Sequence, residues 1–355
     1  MVNVQIESLL KLMVQKGASD LHISYSSPPQ LRIDEKLVPT EFPPLGAEDS
    51  KRLAYSMLKP AQIEKFEREM ELDVSFGIEG LGRFRVNVFV QRGYTGAAVR
   101  LLPLHIMNFE ECGLPLNVAE DLCKRPRGLV LVTGATGSGK STTLASMVDK
   151  INSERNCHIV IIEDPIEYVH KNKKALVDQR EVGSDTQSFA QSLKHVLRQD
   201  PNVILIGEMR DLETIEAALD IAETGHLVFS TLHTSDSVQT INRVIDVFPS
   251  HQQQQVRVQL SFVLLGIMAQ QLIPKANGQG RVLATEVLIA TPAVRSLIRE
   301  AKTHQLYSVI QTSQKEGMRT MNQTLFELYS RKLISYVDAI LRSSDPDDLD
   351  RLFRK

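Results

Sequence analysis

The chain has 355 residues, with 41 Lys and Arg against 43 Asp and Glu, and 42% of its residues are hydrophobic. This composition is typical of a soluble globular protein and excludes disorder as the main state. The length predicts about two domains, each large enough to bury its own core. The three cysteines lack C-x-x-C spacing and indicate neither a disulfide framework nor a structural zinc site. This cysteine usage favours a location in the reducing cytoplasm. The longest apolar run, Phe262–Ala269, is far shorter than the roughly 20 residues of a membrane-spanning helix.

The first hundred residues predict an α+β domain. The expected elements are a helix over 5–16, a strand over 20–24, a helix within 47–69, and strands over 73–76, 83–91 and 96–102. Apolar and polar residues alternate in 83–91, so Phe84 and Val86 share one face while Arg83 and Arg85 share the other. The strand over 96–102 would complete a hairpin.

The pattern changes from residue 114 onward, where short apolar strands alternate with helical segments and predict a parallel sheet covered on both faces. These strands are expected over 129–132, 158–162, 203–206 and 227–230. After Pro249 the chain is expected to be mostly helical, over 251–273, 291–301, 303–314 and 320–331. We therefore predict the α/β class, with an α+β domain over 1–103, a linker over 104–113, and a parallel-sheet domain with a helical C-terminal region over 114–355.

Residues 134–141 match the phosphate-loop pattern G-x-x-x-x-G-K-[ST] between the predicted strand 129–132 and a predicted helix over 142–151. Glycines let backbone N–H groups and the helix N-terminus approach a phosphate that bulkier side chains would block. Lys140 is expected to neutralise the β- and γ-phosphate oxygens, and Ser141 to hold Mg²⁺. The predicted ATP-binding residues are Gly134, Ala135, Thr136, Gly137, Ser138, Gly139, Lys140, Ser141 and Thr142.

Two carboxylates follow predicted strands of the same sheet, as ATP hydrolysis requires for orienting water and supporting Mg²⁺. Glu163 follows the strand 158–162, and Glu208 follows 203–206. The alternative is that either acid caps a helix or pairs with an arginine. His226 and His233 flank the last predicted strand, where a histidine could sense the γ-phosphate. The alternative, and the commoner case for a lone histidine, is a hydrogen-bonded core residue.

Arg83, Arg85 and Arg100 lie on the strands of the N-terminal domain. Such residues reach an active site most simply when a neighbouring subunit donates them. An arginine donated in trans stabilises the charge on the transferred phosphoryl group and contributes about 10³- to 10⁵-fold in rate. The alternative is a solvated strand face.

Over nearly its whole length the chain resembles the type II/IV secretion ATPases. Beside the phosphate loop, the resemblance rests on an Asp-box-like segment at 162–168, an atypical Walker B segment at 200–211, a His-box-like segment at 224–234 and the early segment 17–23. It implies a PAS-like N-terminal domain, a RecA-like ATPase domain and a homohexamer with nucleotide between subunits. It also implies that Glu163 is the general base, that Glu208 is the Walker B acid and a Mg²⁺ ligand, and that Arg85 and Arg100 are the donated arginines. The 15-residue gap between these arginines fits facing positions in the hairpin.

Within this family, the segment Ala293–Glu300 resembles a C-terminal helix of the subgroup that retracts type IV pili, with departures at Val294 and Ser296. Val294, Leu297 and Ile298 are expected to pack inward, with Arg295, Arg299 and Glu300 outward. The tetracysteine insertion usual in extension ATPases is absent, which also favours retraction.

The resemblance predicts a hexameric, Mg²⁺-dependent ATPase that drives pilus retraction and twitching motility. It would move an inner-membrane platform protein from the cytoplasmic face, touching the membrane only through that partner and acting with a possible paralogous retraction ATPase. The alternatives are an accessory retraction ATPase, a RecA-like nucleic-acid translocase and a non-catalytic nucleotide switch. A net charge of −2 and 5% aromatic residues disfavour a nucleic-acid partner.

Overall fold

The computed structural model describes residues 4–33, 36–78, 80–103 and 105–354. Residue 104, the first of the predicted linker, lies outside them. The chain forms two units, Met1–His105 with Pro165–Val169, and Ile106–Asp164 with His170–Lys355. Among the described residues, no helix combines the length and apolar character needed to cross a membrane.

The first unit is an antiparallel sheet packed against helices. Its elements are α1 (Ile6–Gln15), β1 (Asp20–Ile23), β2 (Gln30–Ile33), β3 (Lys36–Pro39), α2 (Ala47–Tyr55), α3 (Pro60–Glu69), β4 (Glu71–Ile78), β5 (Gly82–Gln91) and β6 (Tyr94–Leu101). Within the described residues the six strands follow the order β3-β2-β1-β6-β5-β4. The predicted alternation in β5 is confirmed, because Phe84, Val86 and Val88 are fully buried. The edge strand β3 is exposed along its whole length.

The prediction of helix within 47–69 is confirmed, and the structure has two helices there. The first, α2, ends at Tyr55, and Pro60 occupies the first position of α3, where its missing N–H costs no hydrogen bond. The hydrophobic pattern alone did not separate the two helices.

The second unit alternates strands and helices and then becomes largely helical. Its elements are α4 (Phe109–Cys112), α5 (Leu116–Lys124), β7 (Gly128–Thr133), α6 (Lys140–Glu154), β8 (His158–Glu163), β9 (Leu176–Glu181), α7 (Phe189–Val196), β10 (Val203–Ile206), α8 (Leu212–Glu223), β11 (Leu227–Leu232), α9 (Ser237–Asp246), α10 (Gln253–Val263), β12 (Leu264–Pro274), β13 (Arg281–Ile289), α11 (Pro292–Arg299), α12 (Leu306–Thr312), α13 (Met321–Ser330), α14 (Tyr336–Arg342) and α15 (Pro346–Phe353).

The sheet of the second unit has the order β13-β12-β7-β11-β10-β8-β9 across the part of the chain that the structure describes. Every neighbouring pair is parallel except β12 with β13. Strands β7, β10 and β11 are buried at every position, as expected when helices cover both faces of a parallel sheet. The predicted α/β class is confirmed, and the antiparallel edge strand β13 was not predicted.

The helix predicted over 251–273 is wrong beyond Val263, where the chain enters β12. An apolar run such as Leu264–Ala269 fits a buried strand as well as a buried helix, and periodicity alone does not separate them. In the structure this run pairs with β7 on one side and β13 on the other. The Asn- and Gly-containing turn at 275–280, followed by a second apolar run, was the missed sign of a hairpin.

The outward orientation predicted for Arg295 is also wrong, although Val294 and Ile298 are buried as expected. Its guanidinium donates to the carbonyl oxygens of Ser261, Phe262 and Leu264, where α10 ends. The last carbonyls of a helix lack intrahelical partners, and a cation there also complements the helix dipole. Arg295 therefore holds α11 against the end of α10.

Candidate nucleotide-binding and hydrolysis site

The phosphate loop connects the buried strand β7 to the N-terminus of α6. Gly134 begins the loop at φ +142°, and a Cβ atom there would lie 2.6 Å from the Ser138 Oγ and overlap the carbonyl oxygen of Gln270. Gly139 precedes α6 at φ +91°, and no side chain caps the helix at this residue. The loop therefore requires glycine at these two positions and presents the first N–H groups of α6 toward an anion.

Substituting Gly134 with Ala is expected to lower the free energy of unfolding by about 2–4 kcal/mol, because the change adds both backbone strain and steric overlap. Thermal or urea unfolding measures this loss. Gly137→Ala is the matched control, since Gly137 also has positive φ but a Cβ there meets nothing within 4 Å. Equal losses in the two variants would contradict the close approach of β12 to the loop.

Lys140 is buried at the start of α6, and its Nζ donates to the carbonyl oxygens of Gly134 and Ala135 at 2.7 and 3.1 Å. Its charge therefore lies within the loop, where the dipole of α6 adds to the positive potential. Ser141 and Thr142 follow in the first turn of the helix. This arrangement suits the phosphates of a nucleotide, as the sequence predicted.

A cavity of about 270 Å³ opens beside the loop. The phosphate-loop residues 134–138 form part of its wall, and Ser235, Gln270, Gln271, Leu272 and Arg342 form the rest. Sequence reasoning missed these five, because β12 was taken for a helix and nothing local connects α14 to the loop. The Gln270 amide also donates to Thr143 Oγ1 at 3.0 Å, which ties β12 to α6.

Glu163 and Glu208 come from neighbouring parallel strands. Glu163 is the last residue of β8, and Glu208 lies two residues beyond the end of β10. Between them, the Gly207 N–H donates to the Ile162 carbonyl at 2.8 Å, and a Cβ on Gly207 would lie 3.3 Å from the Glu163 Cα. The structure therefore brings the two predicted acids to the same edge of the sheet as the phosphate loop.

Glu208 has two basic partners. Arg210 Nη2 lies 2.8 Å from one carboxylate oxygen, and His233 Nε2 lies 3.3 Å from the other. Burial raises the pKa of Glu208, but the hydrogen bond from Arg210 and the charges of His233, Arg210 and Lys140 outweigh it and hold the pKa below its ordinary value. Glu208 is therefore ionised at neutral pH and suited to a cation. Arg210 was not predicted, and its only sequence signal is its spacing from Glu208.

The two predicted histidines lie at opposite ends of β11. His233 follows the strand and contacts Glu208, whereas His226 precedes it and hydrogen-bonds through Nδ1 to the Ile221 carbonyl at 3.1 Å. The six residues of β11 span roughly 20 Å. The position of His226 within this unit gives its predicted catalytic role no support, and matches the alternative of a hydrogen-bonded structural residue.

Arg85 and Arg100 belong to the first unit and face each other in the register of β5 and β6. Arg100 Nε donates to Asp20 Oδ1 at 2.8 Å. Burial raises the pKa of Asp20, but hydrogen bonds from Ser19 and Arg100 lower it below its ordinary value. Within the described residues, the Arg85 guanidinium makes no hydrogen bond or ion pair. The predicted facing pair is present. Asp20 holds the Arg100 guanidinium, whereas the Arg85 guanidinium has no such partner within the described residues.

The donor set near the loop fits Mg²⁺. No three His, Cys, Asp or Glu side chains of the described ranges cluster to enclose a metal. Mg²⁺ does not need such a cage, since it commonly takes one or two protein oxygens together with substrate phosphates and water. The Ser141 hydroxyl and the ionised Glu208 carboxylate are of this type.

Comparison with known proteins gives matches over almost the whole chain. The family described as "Type II/IV secretion system protein" matches residues 1–333. The "Type IV pilus retractation ATPase PilT" of Pseudomonas aeruginosa is 48% identical, covering 97% of this chain and 100% of that protein. The "Type IV pilus ATPase PilU" of the same organism is 41% identical over 98% of this chain and 90% of its own length. A crystal structure of the pilus retraction motor PilT with bound ADP is 53% identical, with a TM-score of 0.93 over 98% of this chain and 100% of that chain.

Proposed function

The chain belongs to the type II/IV secretion system protein family and is an ATPase, and from this we propose that it is the motor that powers type IV pilus retraction. The observation that carries the proposal is the near-complete match to retraction ATPases, in both units of the chain. The phosphate loop and the two strand-end carboxylates supply the chemistry that such a motor needs.

In the proposed reaction, the phosphate loop and Lys140 hold the β- and γ-phosphates of ATP. Ser141 and Glu208 would hold Mg²⁺, which neutralises phosphate charge when it is bound. Glu163 orients a water molecule and accepts its proton as the water oxygen bonds to the γ-phosphorus. The bond from that phosphorus to the leaving oxygen of ADP breaks, which yields ADP and phosphate. His233 contacts Glu208 and is placed to respond to the loss of the γ-phosphate.

We assign Arg85 and Arg100 to the site of a neighbouring subunit in a homohexamer. Arg85 supports this role because its guanidinium has no hydrogen-bond or ion-pair partner within the described residues. Asp20 orients Arg100, leaving the other guanidinium nitrogens for an acceptor from outside the unit. We retain residues 1–103 and 114–355 as the two domains, whose relative movement during each cycle drives the motor.

The proposed assembly acts at the cytoplasmic face of the inner membrane. It turns an inner-membrane platform protein, and a paralogous retraction ATPase is a further possible partner. Both proposals come from the family resemblance. The resemblance also indicates that the energy of ATP hydrolysis drives pilus disassembly.

Deleting the gene in its own host is expected to leave pili on the cell surface that no longer shorten, with twitching lost. Fluorescently labelled pili followed by microscopy measure this directly. The wild-type gene should restore retraction, whereas the Lys140→Ala variant should not, because it lacks the charge that holds the phosphates.

Two other outcomes would contradict the proposal in different ways. Loss of surface pili would identify an extension motor instead. Retraction that continues in free pili but stalls under the load of an optical trap would identify an accessory motor, the role that the similarity to PilU keeps as the second candidate.

A further inference from the structure

A buried carboxylate, away from the sheet edge that holds Glu163 and Glu208, binds the N-terminus of a helix. Glu286 lies on β13 and is only 4% exposed. Its Oε1 accepts the backbone N–H of Ser237, the first residue of α9, at 2.8 Å.

This contact compensates an otherwise costly charge. A carboxylate removed from water is unfavourable unless hydrogen bonds replace its hydration. The first N–H groups of a helix have no intrahelical partners and carry the positive end of the helix dipole. Burial raises the pKa of Glu286, and the hydrogen bond from the Ser237 N–H opposes that rise. The carboxylate is therefore bound most firmly when α9 keeps its present position.

A short segment held by hydrogen bonds connects the start of α9 to the residue that contacts Glu208. His233, which contacts Glu208, lies only three residues before Asp236, the N-cap of α9. The Thr240 hydroxyl lies 2.7 Å from that of Thr234 and donates to the Asp236 carbonyl at 2.7 Å. A shift of the first turn of α9 would therefore be carried to His233.

Glu286 also lies level with the end of β7, the strand that leads into the phosphate loop. It pairs with Ala269 on β12, and Ala269 in turn pairs with Thr133, the last residue of β7. The carboxylate is thus fixed to the rigid sheet at the level where the loop begins.

We propose that Glu286 is a positioning residue for ATP hydrolysis, which anchors the N-terminus of α9 so that His233 stays against Glu208. The inference rests on the roles proposed above for His233 and Glu208.

Two substitutions in the full-length chain act on this anchor from its two sides. Glu286→Gln keeps the shape and one acceptor oxygen but replaces the carboxyl group with a neutral amide, which accepts the Ser237 N–H less strongly than a carboxylate does. Ser237→Pro removes the N–H donor while keeping the carboxylate; proline is tolerated at the first position of a helix, and Asp236 already has the extended conformation that precedes proline (φ −149°, ψ 170°). Each is expected to lower kcat by about 3- to 30-fold, the range for changes that act through another element. The affinity for a fluorescent ADP analogue should stay unchanged, because the phosphate loop is untouched.

Thr324→Val is the matched control. It removes the hydrogen bond from the Thr324 hydroxyl to the Thr285 carbonyl at 2.6 Å, which loosens α13 from β13 without touching α9. Its kcat should equal that of the wild type even if its melting temperature falls as far as that of Glu286→Gln. A decrease in kcat matching that of Glu286→Gln would show that general destabilisation is responsible, and would overturn the inference.

His233→Ala separates this inference from the function on which it rests. If His233→Ala keeps the wild-type kcat, the proposed role of His233 fails. If His233→Ala lowers kcat while neither Glu286→Gln nor Ser237→Pro does, only the positioning role fails. If the inference is right, adding either change to His233→Ala costs nothing more, because both act through the same contact. Additive losses in the double variants would contradict it, and Ser237→Pro decides the question should Glu286→Gln fail to fold.

Discussion

Replacing Glu163 with Gln is expected to leave ATP binding intact and to lower kcat by about 10²- to 10⁴-fold, the usual contribution of a general base. The amide has nearly the same shape as the carboxylate but cannot accept a proton from water. The phosphate loop lies between β7 and α6, whereas Glu163 ends β8. Phosphate release measures turnover, and titration with a fluorescent ATP analogue measures binding.

Glu208→Gln is the companion variant. It should raise the Mg²⁺ concentration needed for half-maximal activity, because the ionised Glu208 carboxylate is, with Ser141, a proposed Mg²⁺ ligand. If Glu208→Gln abolishes turnover at saturating Mg²⁺ while Glu163→Gln retains it, the two acids have been assigned in reverse.

Arg85→Ala is expected to retain nucleotide binding and to lower kcat by about 10³-fold or more, because the donated arginine stabilises charge only in the transition state. Its side chain has no internal partner in the described residues, so its loss should leave the first unit folded. Arg68→Ala is the control, since it removes an exposed guanidinium from α3 of the same unit. Sedimentation with ATP and Mg²⁺ should show that both variants assemble as the wild type does.

A mixing experiment tests whether this arginine acts in trans. Arg85→Ala and Lys140→Ala are each expected to be inactive, but a mixed assembly contains sites with an intact loop from one chain and an intact arginine from the other. Mixing the two proteins should therefore restore activity. No recovery on mixing, or single chains that hydrolyse ATP as fast as assembled ones, would mean that each chain completes its own site.

The sequence was sufficient where the signal is local. The phosphate loop needs glycines at fixed spacing between a buried strand and a helix, so eight residues and their flanks specify it. Glu163 and Glu208 were found because the ends of parallel strands meet at one edge of a sheet, whatever the helices between them. Arg85 and Arg100 were placed opposite each other because a tight hairpin determines its own register.

Prediction from the sequence failed where contacts between residues far apart in the chain determine the structure. The run 264–269 becomes a strand because β7 and β13 lie on either side of it, and neither is near it in sequence. Arg295 has the spacing of a surface residue, and only the end of α10, about 30 residues away, turns it inward. His226 and His233 have similar local surroundings, but the direction of β11 separates them by the length of the strand. For Glu286 there was no local signal at all, since its hydrogen-bond partner Ser237 lies 49 residues away.

The edge strand β3 has a consequence for the proposed assembly of identical copies. Unpaired strand edges can recruit a strand from another molecule, which leads to aggregation. Here the edge is four residues long, begins with Lys36 and ends with Pro39, which has no N–H to offer. Although Leu37 and Val38 are exposed, the edge is a poor template for further β-pairing. Copies of this chain can therefore accumulate at high local concentration without this sheet extending from one molecule into the next.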